Sequence, residues 1–111
     1  MEITIGKKTL TLNFGVRFVR ELDKLSGVEN SGIKFGMGVT KASVGLMGYD
    51  TAALADVLYS AAYTNRPRPS LEAIEGFIDD PETDLEKIFK EVQKELKESN
   101  ATKMAVKNMK A

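Results

Sequence analysis

The 111-residue chain contains no cysteine, no histidine and no tryptophan. Without cysteine it can form neither disulfides nor thiolate metal sites, and without histidine it lacks the commonest general base and metal ligand. Ser-His and Cys-His nucleophile pairs are thereby excluded. No charge of one sign dominates, because Lys plus Arg and Asp plus Glu number 16 each. There is then no overall positive field to gather nucleic acid or an anionic membrane. No apolar run approaches the ~20 residues that cross a bilayer, and the opening Met1-Glu2-Ile3-Thr4-Ile5-Gly6 has no basic stretch leading into an apolar one. A place in the cytoplasm is expected, without membrane or nucleic-acid partners.

What is present suits one globular domain. Hydrophobic residues make up 42% and charged residues 29%, and a chain of this length should bury about 65% of its unfolded surface. Residues 2–14 alternate: Ile3 and Ile5 flank Thr4, and Leu10, Leu12 and Phe14 are separated by Thr11 and Asn13. That period of two, with Gly6-Lys7 between, predicts a hairpin around a type II′ turn. A two-stranded ribbon is marginal alone, so helices must cover its apolar face.

From Val16 the period becomes helical. Val16, Val19, Leu22 and Leu25, with Phe18, predict a helix over about 15–26, leaving Arg17, Arg20, Glu21, Asp23 and Lys24 outside and stopping at Gly27. A second helix is expected over about 31–47 from Ile33, Met37, Thr40, Val44 and Met47, although Gly36, Gly38 and Gly45 each weaken it by about 1 kcal/mol. Phe35, Val39 and Leu46 lie off that stripe, so this helix is either central or meets a partner. A third helix, about 50–64, starts at Asp50 as N-cap with Tyr49 and Leu54 as a hydrophobic staple, and buries Leu54, Val57, Leu58, Ala61 and Ala62. Arg66-Pro67-Arg68-Pro69 breaks it and reads as a stiff, solvated linker. Ser70 then caps a helix over about 70–79 with Leu71, Ile74, Phe77 and Ile78 inward, and Thr83 through Glu86 has capping-box spacing for a helix over about 83–98. The expected architecture is mainly α with a short N-terminal β-hairpin, a small helical bundle over residues 1–98.

The final stretch differs in charge. Residues 99–111 hold Lys103, Lys107 and Lys110 with no acid, interleaved with Met104, Val106 and Met109. They are expected to be a flexible tail whose removal barely alters stability, and Met supplies adaptable contacts to a partner. Two other clusters have simpler explanations. Asp79, Asp80, Glu82 and Asp84 lack the ligand alternation of a calcium loop and read as helix caps. Gly36-Met37-Gly38 lacks the remaining glycines and the Lys-Ser/Thr pair of a phosphate loop and reads as tight packing. No catalytic, cofactor or metal site is expected.

The order of segments GKKTLTLNFGVRFVRELDK, GIKFGMGV, LADVLYSAAY, RPSLEAIEGFIDD and LEKIFKEVQKELKESNATKMAVK resembles the tail assembly chaperones of long-tailed phages and prophages of Gram-positive bacteria. The resemblance spans nearly the whole chain and implies a non-catalytic role: coating the helical tape measure protein and keeping it soluble until tail tube subunits polymerise around it. It also implies residence in the host cytoplasm, absence from the mature virion, and a longer form made by ribosomal frameshifting that would reach the tail tube protein. The chain ending Val106-Lys107-Asn108-Met109-Lys110-Ala111 is taken as the shorter form. Ile33, Phe35, Met37, Met104, Val106 and Met109 are the expected partner-binding residues, with self-association as a further use of the first three. The alternative is another phage morphogenesis protein, such as a head-tail adaptor, retained in the virion.

Overall fold

The computed structural model describes residues 1–26, 28–30, 33–35 and 37–109. The first hairpin pairs β1 (Glu2–Ile5) with β2 (Lys8–Thr11) antiparallel, Ile3 opposite Leu10. Gly6 takes φ 62°, the positive value that the first central position of a type II′ turn demands. The alternation has its expected effect: Ile3, Leu10, Leu12 and Phe14 are buried. The edge of β2 is closed by the end of a helix rather than by another strand. Asn65 Oδ1 accepts from the Thr11 N–H at 3.2 Å while its Nδ2 donates to the Thr11 carbonyl at 2.9 Å, and the Asn13 N–H donates to Ala61 O at 2.9 Å. One amide side chain thus imitates a strand residue, so these backbone groups are not left unpaired.

Helix α1 (Val16–Ser26) buries only part of the face its hydrophobic spacing predicts. Phe18 and Leu22 are fully buried, while Val16 and Leu25 are exposed. Each step of three residues turns 60° short of a full circle, so Val16 and Leu25 stand about 180° apart and cannot both face the core. The i, i+4 pair Phe18 and Leu22 can, with the Phe14 ring 5.0 Å from that of Phe18.

The helix expected over 31–47 is shorter. Residues β3 (Val28–Asn30) and β4 (Ile33–Phe35) form a second antiparallel pair, and α2 begins only at Gly38, ending at Met47. The Gly38 N–H donates to Asp23 Oδ1 at 2.9 Å, so a carboxylate from α1 does for α2 what its own N-cap, Met37, cannot. Tight packing holds for Gly38, where a Cβ would lie 2.6 Å from that oxygen; Gly36 lies outside the described residues. The buried face is Val39, Ala42, Ser43 and Leu46, and the expected stripe of Met37, Val44 and Met47 faces outward. Both sets have helical spacing, and the packing of α2 against α1 and α3 selects between them.

α3 (Thr51–Ala61) is the central element, in contact with α1, α2 and α4. Asp50 accepts from the N–H groups of Ala52 and Ala53, and Leu54, Val57, Leu58, Ala61 and Ala62 are all fully buried. Tyr49 turns the corner between α2 and α3 at φ 59°, and its ring meets Phe89 edge-on at 5.3 Å. α4 (Leu71–Asp79) is capped by Ser70, and α5 (Leu85–Glu98) by Asp84 rather than Thr83. The Thr83 hydroxyl donates instead to Phe77 O at 2.6 Å, satisfying a carbonyl at the end of α4. Asp80 accepts from the Glu82 N–H, so turn and cap geometry accounts for Asp80 and Asp84.

The C-terminal segment is packed, contrary to the expected flexible tail. α6 (Lys103–Asn108) lies against α2 and α5. Thr102 is fully buried and donates to Leu96 O at 2.6 Å, Val106 is buried, and Ser99 Oγ donates to Phe14 O at 2.6 Å. A helix of six residues is unstable alone; its anchors make it persist here. Lys110 and Ala111 lie outside the described residues.

Candidate functional site

Helices α2, α5 and α6 converge on a cleft of about 170 Å³. Its floor is Leu46, Leu96 and Val106, one residue from each helix, and it opens to solvent past Met47 and Lys97. Ser43 also lines it; this residue is 7% exposed, and its hydroxyl has no hydrogen-bond partner among the described residues. An adjoining hollow shares Lys97 and Val106 and adds Lys103, Met104 and Lys107. The apolar floor therefore has a lysine border on the α5–α6 side.

Three of the six partner residues expected from sequence come together here. Val106 and Met109 line the cleft and Met104 the adjoining hollow. Met37 is exposed, but it precedes the first turn of α2 whereas Met47 ends the helix, about 15 Å away at 1.5 Å per residue. The side chains of Ile33 and Phe35 lie outside the described residues. Sequence reasoning missed Met47, Gln93 and Lys97 as members of the site. Met47 lies on the helical stripe expected of a helix that is either central or meets a partner, and Lys97 is one of four lysines on α5.

A separate polar cluster ties α1 to α3 and to the Arg66–Pro69 segment. Arg68 donates to Glu21 Oε1 at 2.7 Å and to Tyr59 O at 2.9 Å, with its guanidinium 3.9 Å above the Tyr59 ring. Lys24 donates to Glu21 Oε2 at 2.7 Å and Arg17 approaches the same oxygen at 3.4 Å. The hydrogen bonds from Lys24 and then Arg68 hold Glu21 down at about 2. Arg66 donates to Tyr63 O and Asn65 O. The segment expected to be a solvated linker is instead a clamp, and the carboxylate Arg68 grips belongs to the chain itself.

Charge is divided despite the zero balance. Asp56 is raised from its ordinary value by partial burial, with Lys41 opposing the rise and Asp50 and Glu75 adding to it. Carboxylates thus gather on the α3–α4 side, while α2 and α6 contain no acidic residue at all. Among the described residues there is no cluster of three metal-ligating side chains, and no helix is long and apolar enough to cross a membrane.

These features define a class: a small helical bundle built on a β-hairpin, carrying an open apolar cleft bordered by lysines. A family model described as phage tail assembly chaperone protein, TAC, matches residues 2–110. The chain belongs to that family. No curated protein and no solved structure matches it.

Proposed function

We propose that this protein binds the tape measure protein of a long-tailed phage or prophage and keeps it soluble while the tail tube assembles, without catalysing a reaction. The observation that carries this reading is family membership over residues 2–110. The exposed methionines of α2 and α6 agree with it, since flexible thioether side chains adapt to an extended client. The same reading places the protein in the cytoplasm of a Gram-positive host and leaves it out of the finished virion. A longer, frameshifted form would bring the tail tube protein to the complex.

Co-expression with the tape measure protein of the same phage or prophage tests the reading. The expected result is a soluble tape measure that co-purifies with this chain; a tape measure equally insoluble with and without it overturns the proposal. Mass spectrometry of purified particles should find tape measure peptides and none from this chain. Its presence at a stoichiometric level would favour the head-tail adaptor instead. An overlapping reading frame with a slippery A-rich stretch at Lys107-Asn108 is expected in the gene.

A further inference from the structure

We infer that the α2–α5–α6 cleft is the client-binding surface and that its ligand is an acidic amphipathic helix, a segment with one large apolar anchor face flanked by Asp or Glu. This deepens the chaperone reading by naming the surface and the chemistry that it takes. Two observations carry it. The first is shape: a volume of about 170 Å³ over a floor of Leu46, Leu96 and Val106 has room for one benzene-sized group. A helix laid in a groove inserts such anchors at i, i+3 or i+4 and i+7. The second is charge: Lys97 lines the cleft and Lys103 and Lys107 the adjoining hollow, and no carboxylate is among the residues that line either. Cations around an apolar floor fit carboxylates around an apolar stripe.

A second copy of this chain is a poorer occupant. Its acidic α3–α4 side borders a hollow with Glu75 and Asp79 beside Thr51, Ala52, Ala55 and Ile78. From 51 to 79 no large hydrophobic side chain is exposed, so that side has nothing to insert. The unpartnered Ser43 hydroxyl gives the cleft a polar group that an entering ligand can engage by a rotamer change.

Two synthetic helical peptides with the same leucine face, one flanked by Glu and one by Lys, are the probes. Fluorescence anisotropy with the full chain should show the Glu peptide binding at least about tenfold more tightly, with affinity falling as salt rises. Met47→Glu, at an exposed position, should weaken it about tenfold, and the double variant Lys103→Glu/Lys107→Glu should reverse the preference. Val16→Glu, on the exposed side of α1, should change nothing. On titration the methyl signals of Met47 and Met109 should shift while that of Met37 stays. Equal binding of both peptides, no binding of either, or loss of binding in Val16→Glu overturns the assignment. So does self-association or adhesion to anionic vesicles that Met47→Glu abolishes, which would give the cleft to a second copy or to a lipid surface. If the tape measure protein co-purifies equally with Met47→Glu, the cleft assignment falls and the chaperone reading stands. If the Glu peptide binds but the tape measure does not, the reverse holds.

Discussion

Glu21 shows how one side chain is fixed by three cations and how unequal they are. Lys24 and Arg17 are well exposed, and exposed ion pairs contribute little, whereas Arg68 is largely covered and also bonds Tyr59 O. Arg68→Ala should therefore cost about 1–3 kcal/mol in denaturant unfolding, and Arg68→Lys nearly as much because the planar two-way contact and the ring stacking go together. Because Glu21 sits at about 2 in the fold against an ordinary 4.5, its ion pairs stabilise fully above pH 4.5, and this stability is lost as pH falls through 2. Thermal unfolding followed across that window should flatten in Glu21→Gln. A second single-residue test lies at Gly45, where a Cβ would stand 2.8 Å from the Cβ of Ala53. Neither atom can rotate away, so the strain of overpacking, about 1–3 kcal/mol, should exceed the helix-propensity gain of about 1 kcal/mol. Gly45→Ala is expected to destabilise, and adding Ala53→Gly should recover part of the loss.

Among the elements, α6 carries the clearest prediction. Ending the chain at Ser99 removes the buried Val106 and the Thr102 hydroxyl bond to Leu96 O, a loss of about 2–4 kcal/mol that calorimetry should detect. Sequence alone argued for no loss, because Val106 is one apolar residue in a lysine-rich stretch and nothing local announces its docking site. The legible elements were those whose pattern has a single solution. The hairpin alternates strictly, α3 and α5 each have a cap and one apolar stripe, and Ser70 begins α4. α2 was illegible because two faces are apolar and only its contacts with α1 and α3 decide which is buried. Of the site, Val106, Met104 and Met109 were found through their spacing among lysines. Met47 and Lys97 required knowing that α2 and α5 approach each other.

At the scale of the whole molecule, α3 is largely buried and touches α1, α2 and α4 as well as the chain after β2. Amide hydrogen exchange is slowest where opening requires global unfolding. The amides of Leu54, Val57, Leu58 and Ala61 should therefore exchange last and those of α6 early. Comparable protection in α6 would show that the cleft wall opens only with the whole domain. The zero net charge is likewise a sum over unequal parts, acidic along α3–α4, balanced along α5 and basic on α6, rather than an even mixture. Rising salt should weaken contacts made by the acidic or the basic part without altering the core.

The hydrogen bond from Ser99 to the carbonyl of Phe14 joins residues 85 apart in sequence. During synthesis the chain leaves the ribosome N-terminus first, so the hairpin and α1 exist for most of that time without this partner or the helix beyond it. Closure waits until Ser99 has emerged, and the α6 wall of the cleft is completed only after it. A nascent chain halted before Ser99 has neither the wall nor this bond, whereas an extension joined beyond Met109 leaves both in place.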